Sequence, residues 1–213
     1  MKLNKIKVLS TLLKLKSNPY YLPAHQGDYF SALSLITHLN PDYSRFSNFT
    51  GYVCPVQKQT GNKIAYTFAK LICENSNLSL CNSVFLTNNR PGNKMIQRMT
   101  YNPAYTGTVK PGNYILVDDV ITTGITLKAL KTYIESSGSS VYAIYTLASS
   151  RSGGLFEPSK LQYKIYLNQF PQLADYFSAE NLTIPQLLYI NRFSSLYSYF
   201  DLLSQTYFST GYF

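Results

Sequence analysis

An α/β protein built on a parallel sheet of about five strands flanked by helices is what this sequence predicts. Short apolar runs rich in branched side chains recur between segments whose apolar residues fall at helical spacing. The runs are continuous rather than alternating, as in strands covered on both faces. At 213 residues and 45% apolar content, the chain can fill one such core with additions to spare.

Leu3, Ile6, Leu9 and Leu13 recur at helical spacing, so the stretch from Met1 to Lys16 predicts an amphipathic helix docked on the core. Lys14 and Lys16 interrupt its apolar face and no small-residue cleavage site follows, which argues against a secretory signal. Ser17-Asn18-Pro19 breaks this helix, and Tyr20 to His25 reads as a short extended segment before Gly27. Asp28 then caps a helix that Asn40-Pro41 stops. Gly51 to Gln57 predicts the first core strand, followed by a loop from Lys58 to Lys63 and a helix on Ile64, Ala65, Phe68, Leu71 and Ile72. Asn82 to Thr87 reads as the second core strand. Asn88 to Gly112 is a long loop, punctuated by Asn89-Arg90-Pro91-Gly92 and Lys110-Pro111-Gly112. Leu127, Leu130 and Ile134 mark a helix closed by Gly138, and Val141 to Leu147 and Leu161 to Leu167 read as the remaining strands. From Gly153 the chain turns aromatic and leucine-rich, with helical segments around Tyr176, Leu187, Tyr189, Leu196, Tyr199 and Phe200. Without basic interleaving, these tyrosines suit a core or a homodimer interface better than base stacking.

The net charge of +9 is unevenly placed. Between Asp42 and Asp118 the only acid is Glu74, while Arg45, Lys58, Lys63, Lys70, Arg90, Lys94, Arg98 and Lys110 lie in that interval. Such asymmetry suits an anionic partner, a polyphosphate or a nucleic acid. The five lysines of the first sixteen residues read as compositional bias. Cys54, Cys73 and Cys81 lack metal-ligand spacing and read as reduced, buried thiols in the cytoplasm. His25 and His38 are each alone in sequence and read as structural. No apolar run approaches the length of a membrane-spanning helix.

The most informative stretch is Tyr114-Ile115-Leu116-Val117-Asp118-Asp119-Val120-Ile121-Thr122-Thr123-Gly124-Ile125-Thr126. A buried strand ends in two carboxylates, then a loop of small hydroxyl residues and one glycine opens a helix. That loop offers backbone N–H groups, hydroxyls and a positive helix end to a phosphate. The aspartates accept hydrogen bonds from vicinal hydroxyls. Phosphate at one end and a diol at the other describe a ribose 5-phosphate. No Gly-Lys-Ser/Thr follows the glycine, so this is not a Walker loop. Lys58, Gln59, Thr60 and Gly61 form a second strand-to-helix loop where an anion can sit. The long loop from Asn88 carries four basic residues and no acid, which suits a lid over an anion.

The stretch from Tyr114 to Thr126 resembles the phosphoribosyl pyrophosphate (PRPP) loop of type I phosphoribosyltransferases: a hydrophobic strand, two acids, two hydrophobic residues, then small or hydroxyl residues around a glycine. The resemblance covers about residues 50 to 150. It implies that Asp118 and Asp119 hold the ribose diol, and a Mg2+ ion indirectly through ribose hydroxyls or water. By the same resemblance Thr122, Thr123, Gly124, Ile125 and Thr126 hold the 5-phosphate, and Lys58, Gln59, Thr60 and Gly61 the pyrophosphate. The mobile loop of that family implies Lys94 and Arg98 as groups that reach the leaving pyrophosphate. It divides the chain into an N-terminal helix and hood segment (1–50), a phosphoribosyltransferase-like core (51–150) and a C-terminal strand with a helical, aromatic-rich hood (151–213). Arg98-Met99-Thr100-Tyr101-Asn102-Pro103-Ala104 with Gly61-Asn62 also resembles competence-associated phosphoribosyltransferase-like proteins. Thr122 stands where hypoxanthine-guanine phosphoribosyltransferases carry an aspartate beside the purine, which argues against that subclass. The activity implied is transfer of phosphoribose from PRPP to a nucleobase or other small nucleophile, the acceptor being unnamed by the sequence. The alternative is a PRPP-sensing regulator or nucleic-acid-associated protein that keeps the fold without turnover.

Overall fold

The structure is a computed structural model that describes residues 6–57, 61–88 and 101–149, together with Asn168 and Pro171. Contacts divide the chain into two compact units. The first holds Met1–Asn88, Pro103–Thr122 and Thr126–Gly153; the second holds Asn89–Asn102, Thr123–Ile125 and Gly154–Phe213. The architecture described below belongs to the first.

It is α/β: a five-stranded, all-parallel sheet flanked by helices. The strands are β1 (Ile6–Thr11), β7 (Ser140–Ser149), β6 (Asn113–Ile121), β2 (Tyr52–Pro55) and β3 (Ser79–Leu80), in that spatial order. The helices are α1 (Leu12–Lys16), α2 (Tyr21–His25), α3 (Tyr29–Leu39), α4 (Ile64–Glu74) and α5 (Ile125–Ser136). A separate antiparallel hairpin pairs β4 (Val84–Leu86) with β5 (Tyr105–Gly107).

Several expected elements form where the sequence places them. Asp28 caps α3 by accepting from Phe30 N and Ser31 N, and Asn40 closes it in the left-handed conformation at φ 48°. The strand at Tyr114 extends through both aspartates, and the helix on Leu127, Leu130 and Ile134 buries those three residues.

Others differ, for physical reasons. In the described part of the stretch expected as one N-terminal helix, Ile6–Thr11 is a strand: β-branched Ile6 and Val8 suit a pleated edge, and β7 offers a parallel partner in register from Ile6↔Ile144 to Thr11↔Ser149. Among the described residues of this stretch only Leu12–Lys16 is helical, and Leu13, read as part of an apolar face, is 81% exposed. Tyr21–His25 is helical rather than extended, because Pro23 falls in the first turn, where its missing N–H costs nothing. The second core strand read at Asn82 to Thr87 is the hairpin strand β4; the sheet takes Ser79–Leu80 instead, through Ser79 N to Gly51 O and Cys81 N to Val53 O. Within the loop read from Asn88 to Gly112, Tyr105–Gly107 is a strand. The strand expected at Leu161 to Leu167 and the helical segments after Gly153 lie outside the described residues.

The sheet is covered on both faces. On one, Val53, Ile115, Val117, Tyr145 and Leu147 pack with Leu35 and Ile36 of α3, Ile64, Phe68 and Ile72 of α4, and Phe46. Alternation along the strands turns Leu116 and Ile144 to the other face, that of α5 with Leu127, Leu130 and Ile134, all buried. Right-handed crossovers require this split: β2–α4–β3 steps one way along the sheet and β6–α5–β7 the other, so α4 and α5 lie on opposite faces.

Candidate functional site

The boundary between β6 and β2 is therefore the switch point of the sheet, where successive connections leave in opposite directions and open a crevice at the carboxyl ends of the strands. The two strands pair from Tyr52↔Tyr114 to Pro55↔Val117, and Val56 N donates once more to Val117 O at 2.7 Å. Beyond Val117 only β7 follows β6, pairing Asp118↔Thr146 and Ile121↔Ser149. Asp118 and Asp119 are thus the first residues past the point where β2 leaves.

That position explains how charge is tolerated in a core strand. The half-buried carboxylates satisfy backbone donors of their own strand: Asp119 N donates to Asp118 Oδ1 at 2.8 Å, and Val120 N to Asp119 Oδ1 at 2.7 Å. Neighbouring strand residues point to opposite faces, so Asp119 shares the side of Ile115 and Val117 while Asp118 shares that of Leu116. Thr146, level with Asp118 on β7, is fully buried and its hydroxyl has no hydrogen-bond partner among the described residues.

Across the crevice, Asn62 Nδ2 donates to Asp119 Oδ2 at 2.7 Å, and Asn62 Oδ1 accepts from Ile64 N, the first residue of α4, at 2.9 Å. Gly61, at φ +95°, turns the chain into this position. The loop is braced by α2, through Lys63 N to Ala24 O at 3.4 Å and the close approach of Gly27 to Gly61. The sequence singled out Lys58, Gln59, Thr60 and Gly61 of this loop and gave Asn62 no role at the site. Its signal was an amide two residues before a helix start, a place where an Asx side chain bonds backbone.

Of the other expected site residues, Thr122 and Thr126 are half-buried, and Thr126 O accepts from Tyr105 Oη at 3.1 Å. That bond and Tyr133 Oη to Gly107 O at 2.7 Å tie the β4–β5 hairpin to α5. Thr123, Gly124 and Ile125 belong to the second unit; Thr123 is buried and Gly124 takes φ +78°, so the chain turns from strand to helix within three residues. Lys58, Gln59, Thr60, Lys94 and Arg98 lie outside the described residues.

No group of three or more His, Cys, Asp or Glu side chains able to hold a metal occurs among the described residues. Asp118 and Asp119 are hard oxygen donors that fit an ion taking most of its ligands from substrate and water, as Mg2+ does. Cys54 and Cys81 are buried neighbours on β2 and just past β3, while Cys73, expected to be buried, is half-buried; all three are free thiols. The hydrogen bond between Cys54 and Cys81, with burial, pushes the Cys54 thiol well above its usual range. No helix among the described residues is long and apolar enough to cross a membrane.

An open parallel sheet with two carboxylates at its switch point is an α/β architecture suited to a small polar ligand. No family model matches the chain. It is 31% identical to Protein TraN of Escherichia coli over 141 residues, which cover 61% of this chain and 32% of that protein. The chain thus spans about a third of the curated relative's length. That relative's name has no link to competence-associated proteins, so the second resemblance drawn from Arg98 to Ala104 gains no support from it. Among solved structures, the orotate phosphoribosyltransferase of Aeropyrum pernix is similar at a TM-score of 0.33 and 19% identity, over 58% of this chain and 74% of that one. The UMP synthase of Leishmania donovani is similar at 0.30 and 14%, over 71% and 31%.

Proposed function

We propose that this protein is a phosphoribosyltransferase, moving phosphoribose from PRPP to a nucleobase or other small nucleophile with release of pyrophosphate. The observation that carries the reading is the placement of Asp118 and Asp119: two carboxylates at the carboxyl end of β6, at the switch point, where the chain turns through Thr122 to Gly124 into α5. In this reading the carboxylates accept from the ribose hydroxyls and the loop from Thr122 to Thr126 receives the 5-phosphate. In the same reading Lys58, Gln59, Thr60 and Gly61 are the pyrophosphate-binding residues, and Lys94 and Arg98 act on pyrophosphate as it leaves. Mg2+, when bound with the substrate, would supply charge neutralisation between pyrophosphate and ribose oxygens. The chain's own contribution is positioning and electrostatic stabilisation as positive charge develops at the anomeric carbon.

Two measurements test this. PRPP with magnesium, at about 100 times its dissociation constant, should stabilise the fold by about 2.7 kcal/mol. A melting curve unmoved by millimolar PRPP and magnesium would sink the reading. Pyrophosphate release across a panel of nucleobases and small amines then separates an enzyme from a PRPP sensor, which would bind without turnover.

A further inference from the structure

We infer that Asn62 is a positioning residue, whose carboxamide ties the start of α4 to Asp119 and holds that carboxylate oriented toward the ribose hydroxyls. The inference rests on the phosphoribosyl reading of the site. Its ground is that Asn62 bridges 57 positions of sequence with both ends of one amide. Oδ1 is committed as acceptor to Ile64 N at 2.9 Å, so the group facing Asp119 is the NH2, which can only donate. The bond to Asp119 Oδ2, at 2.7 Å, has the length of a charge-assisted pair.

The consequence for Asp119 is geometric. Val120 N fixes Oδ1 and Asn62 fixes Oδ2, so the carboxylate plane is set from both sides. An ionised carboxylate has about four acceptor positions, so two protein donors leave capacity for ligand hydroxyls in a fixed direction. A carboxylate held by Val120 alone would keep rotational freedom, and binding the diol would then cost that freedom. Asn62 is itself held: Gly61 supplies the turn before it, and Lys63 N on Ala24 O anchors the backbone after it. The two loops that meet at the switch point are thereby one mechanical unit.

A simple role at the start of α4 makes a different demand. Accepting from Ile64 N needs only a side-chain oxygen, which serine or aspartate also supplies. Only an amide both accepts there and donates to Asp119. Asn62→Ser keeps an acceptor and loses the reach. Asn62→Asp keeps both reach and acceptor but turns an anion on Asp119.

The experiment is a double-mutant cycle read by calorimetric titration with Mg·PRPP, on wild type, Asn62→Ser, Asp119→Ala and the double variant, with melting temperatures alongside. Asn62→Ser should weaken Mg·PRPP about tenfold, in keeping with loss of one charge-assisted hydrogen bond, while melting within a few degrees of wild type. In the Asp119→Ala background the same substitution should change affinity by less than about twofold, because nothing remains for Asn62 to position. Asn62→Asp should weaken binding at least as much as Asn62→Ser, and it serves as the test if the serine variant fails to fold. Equal losses in both backgrounds, or no loss from either Asn62 variant, overturn the positioning role and leave the reading of the site standing. A wild-type chain that gives no heat with Mg·PRPP removes the reading, and this inference with it.

Discussion

The two crossovers that meet at the crevice are built to different standards. β2–α4–β3 uses short strands, yet α4 buries Ile64, Ala65, Thr67, Phe68, Ala69 and Ile72, because α3 packs on it as well as the sheet. β6–α5–β7 uses the long strands, Asn113–Ile121 and Ser140–Ser149, and its helix buries only Leu127, Leu130 and Ile134. One half gains rigidity from its helix layer and the other from its strands. The carboxylates sit on the strand-rich half; the amide that grips one of them comes from the helix-rich half. Sites at switch points draw on two differently stabilised bodies, and a residue that joins them, such as Asn62, carries information no single strand-loop-helix motif contains.

Core packing should separate the two crossovers most strongly. Phe68→Ala should cost about 3–5 kcal/mol, whereas Leu130→Ala, on a helix that buries three residues, should fall near the low end of such losses at about 2 kcal/mol. Chemical denaturation of the two variants decides it, and equal costs would mean that the two helices are packed alike. Next in size is Asp119→Ala, expected to weaken Mg·PRPP roughly tenfold to a hundredfold and to cost about 1 kcal/mol of stability, since the Val120 N–H and the Asn62 amide lose their acceptor in a half-buried place. Collapse of the fold in this variant would make the pair structural.

Alkaline unfolding sharpens the contrast further. On the α4 side, burial pushes the Cys73 thiol up to about 11 and the Tyr43 hydroxyl up to about 12, with Glu74 adding to both. On the α5 side, burial pushes Tyr114 up to about 12. In each case the folded chain favours the neutral form. The stability these groups contribute is complete below their unfolded values of 9.0 and 10.0 and is lost as pH rises through the folded ones. Cys73→Ala should flatten the decline between about pH 9 and 11, and Tyr114→Phe that between about 10 and 12. Unchanged slopes in pH-resolved melts would remove these groups from the account. Smallest of all are the helix-surface pairs. Lys131 and Glu135 meet at 2.8 Å on α5, Lys70 and Glu74 at 3.7 Å on α4, and both run lysine before glutamate, the weaker orientation. Glu135→Ala should cost no more than about 0.3–0.5 kcal/mol, and Glu74→Ala less.

Legibility in the sequence followed the physics of each segment. β6 was readable because it is central: burial on both faces leaves an unbroken apolar run, and two carboxylates at its end stand out against it. β1 was not, because an edge strand tolerates exposed Lys7 and Val8, and Leu3, Ile6, Leu9 and Leu13 happen to match helical spacing. β3 is two residues long and offers no period at all, while Asn82 to Thr87 carries a strand pattern that the hairpin with Tyr105–Gly107 satisfies equally well. The carboxylates and the turn after them were evident from residue types in order. Asn62 was hidden because its partner is 57 positions away, and only the pairing of β2 with β6 brings the two loops together.

The close approach at the other end of those strands has a consequence of its own. Gly51 adopts φ +123°, and a side-chain carbon there would lie 2.2 Å from the carbonyl oxygen of Asn113, at the opening of β6. Backbone cannot yield at that point without parting β2 from β6 along the seam on which the crevice depends. Gly61 is also at positive φ, but among the described residues nothing lies within 4 Å of where its side chain would begin. In a library of randomised genes selected for folded product, codon 51 should return glycine alone, while codon 61 should also admit asparagine and aspartate, the residues that best tolerate a left-handed backbone.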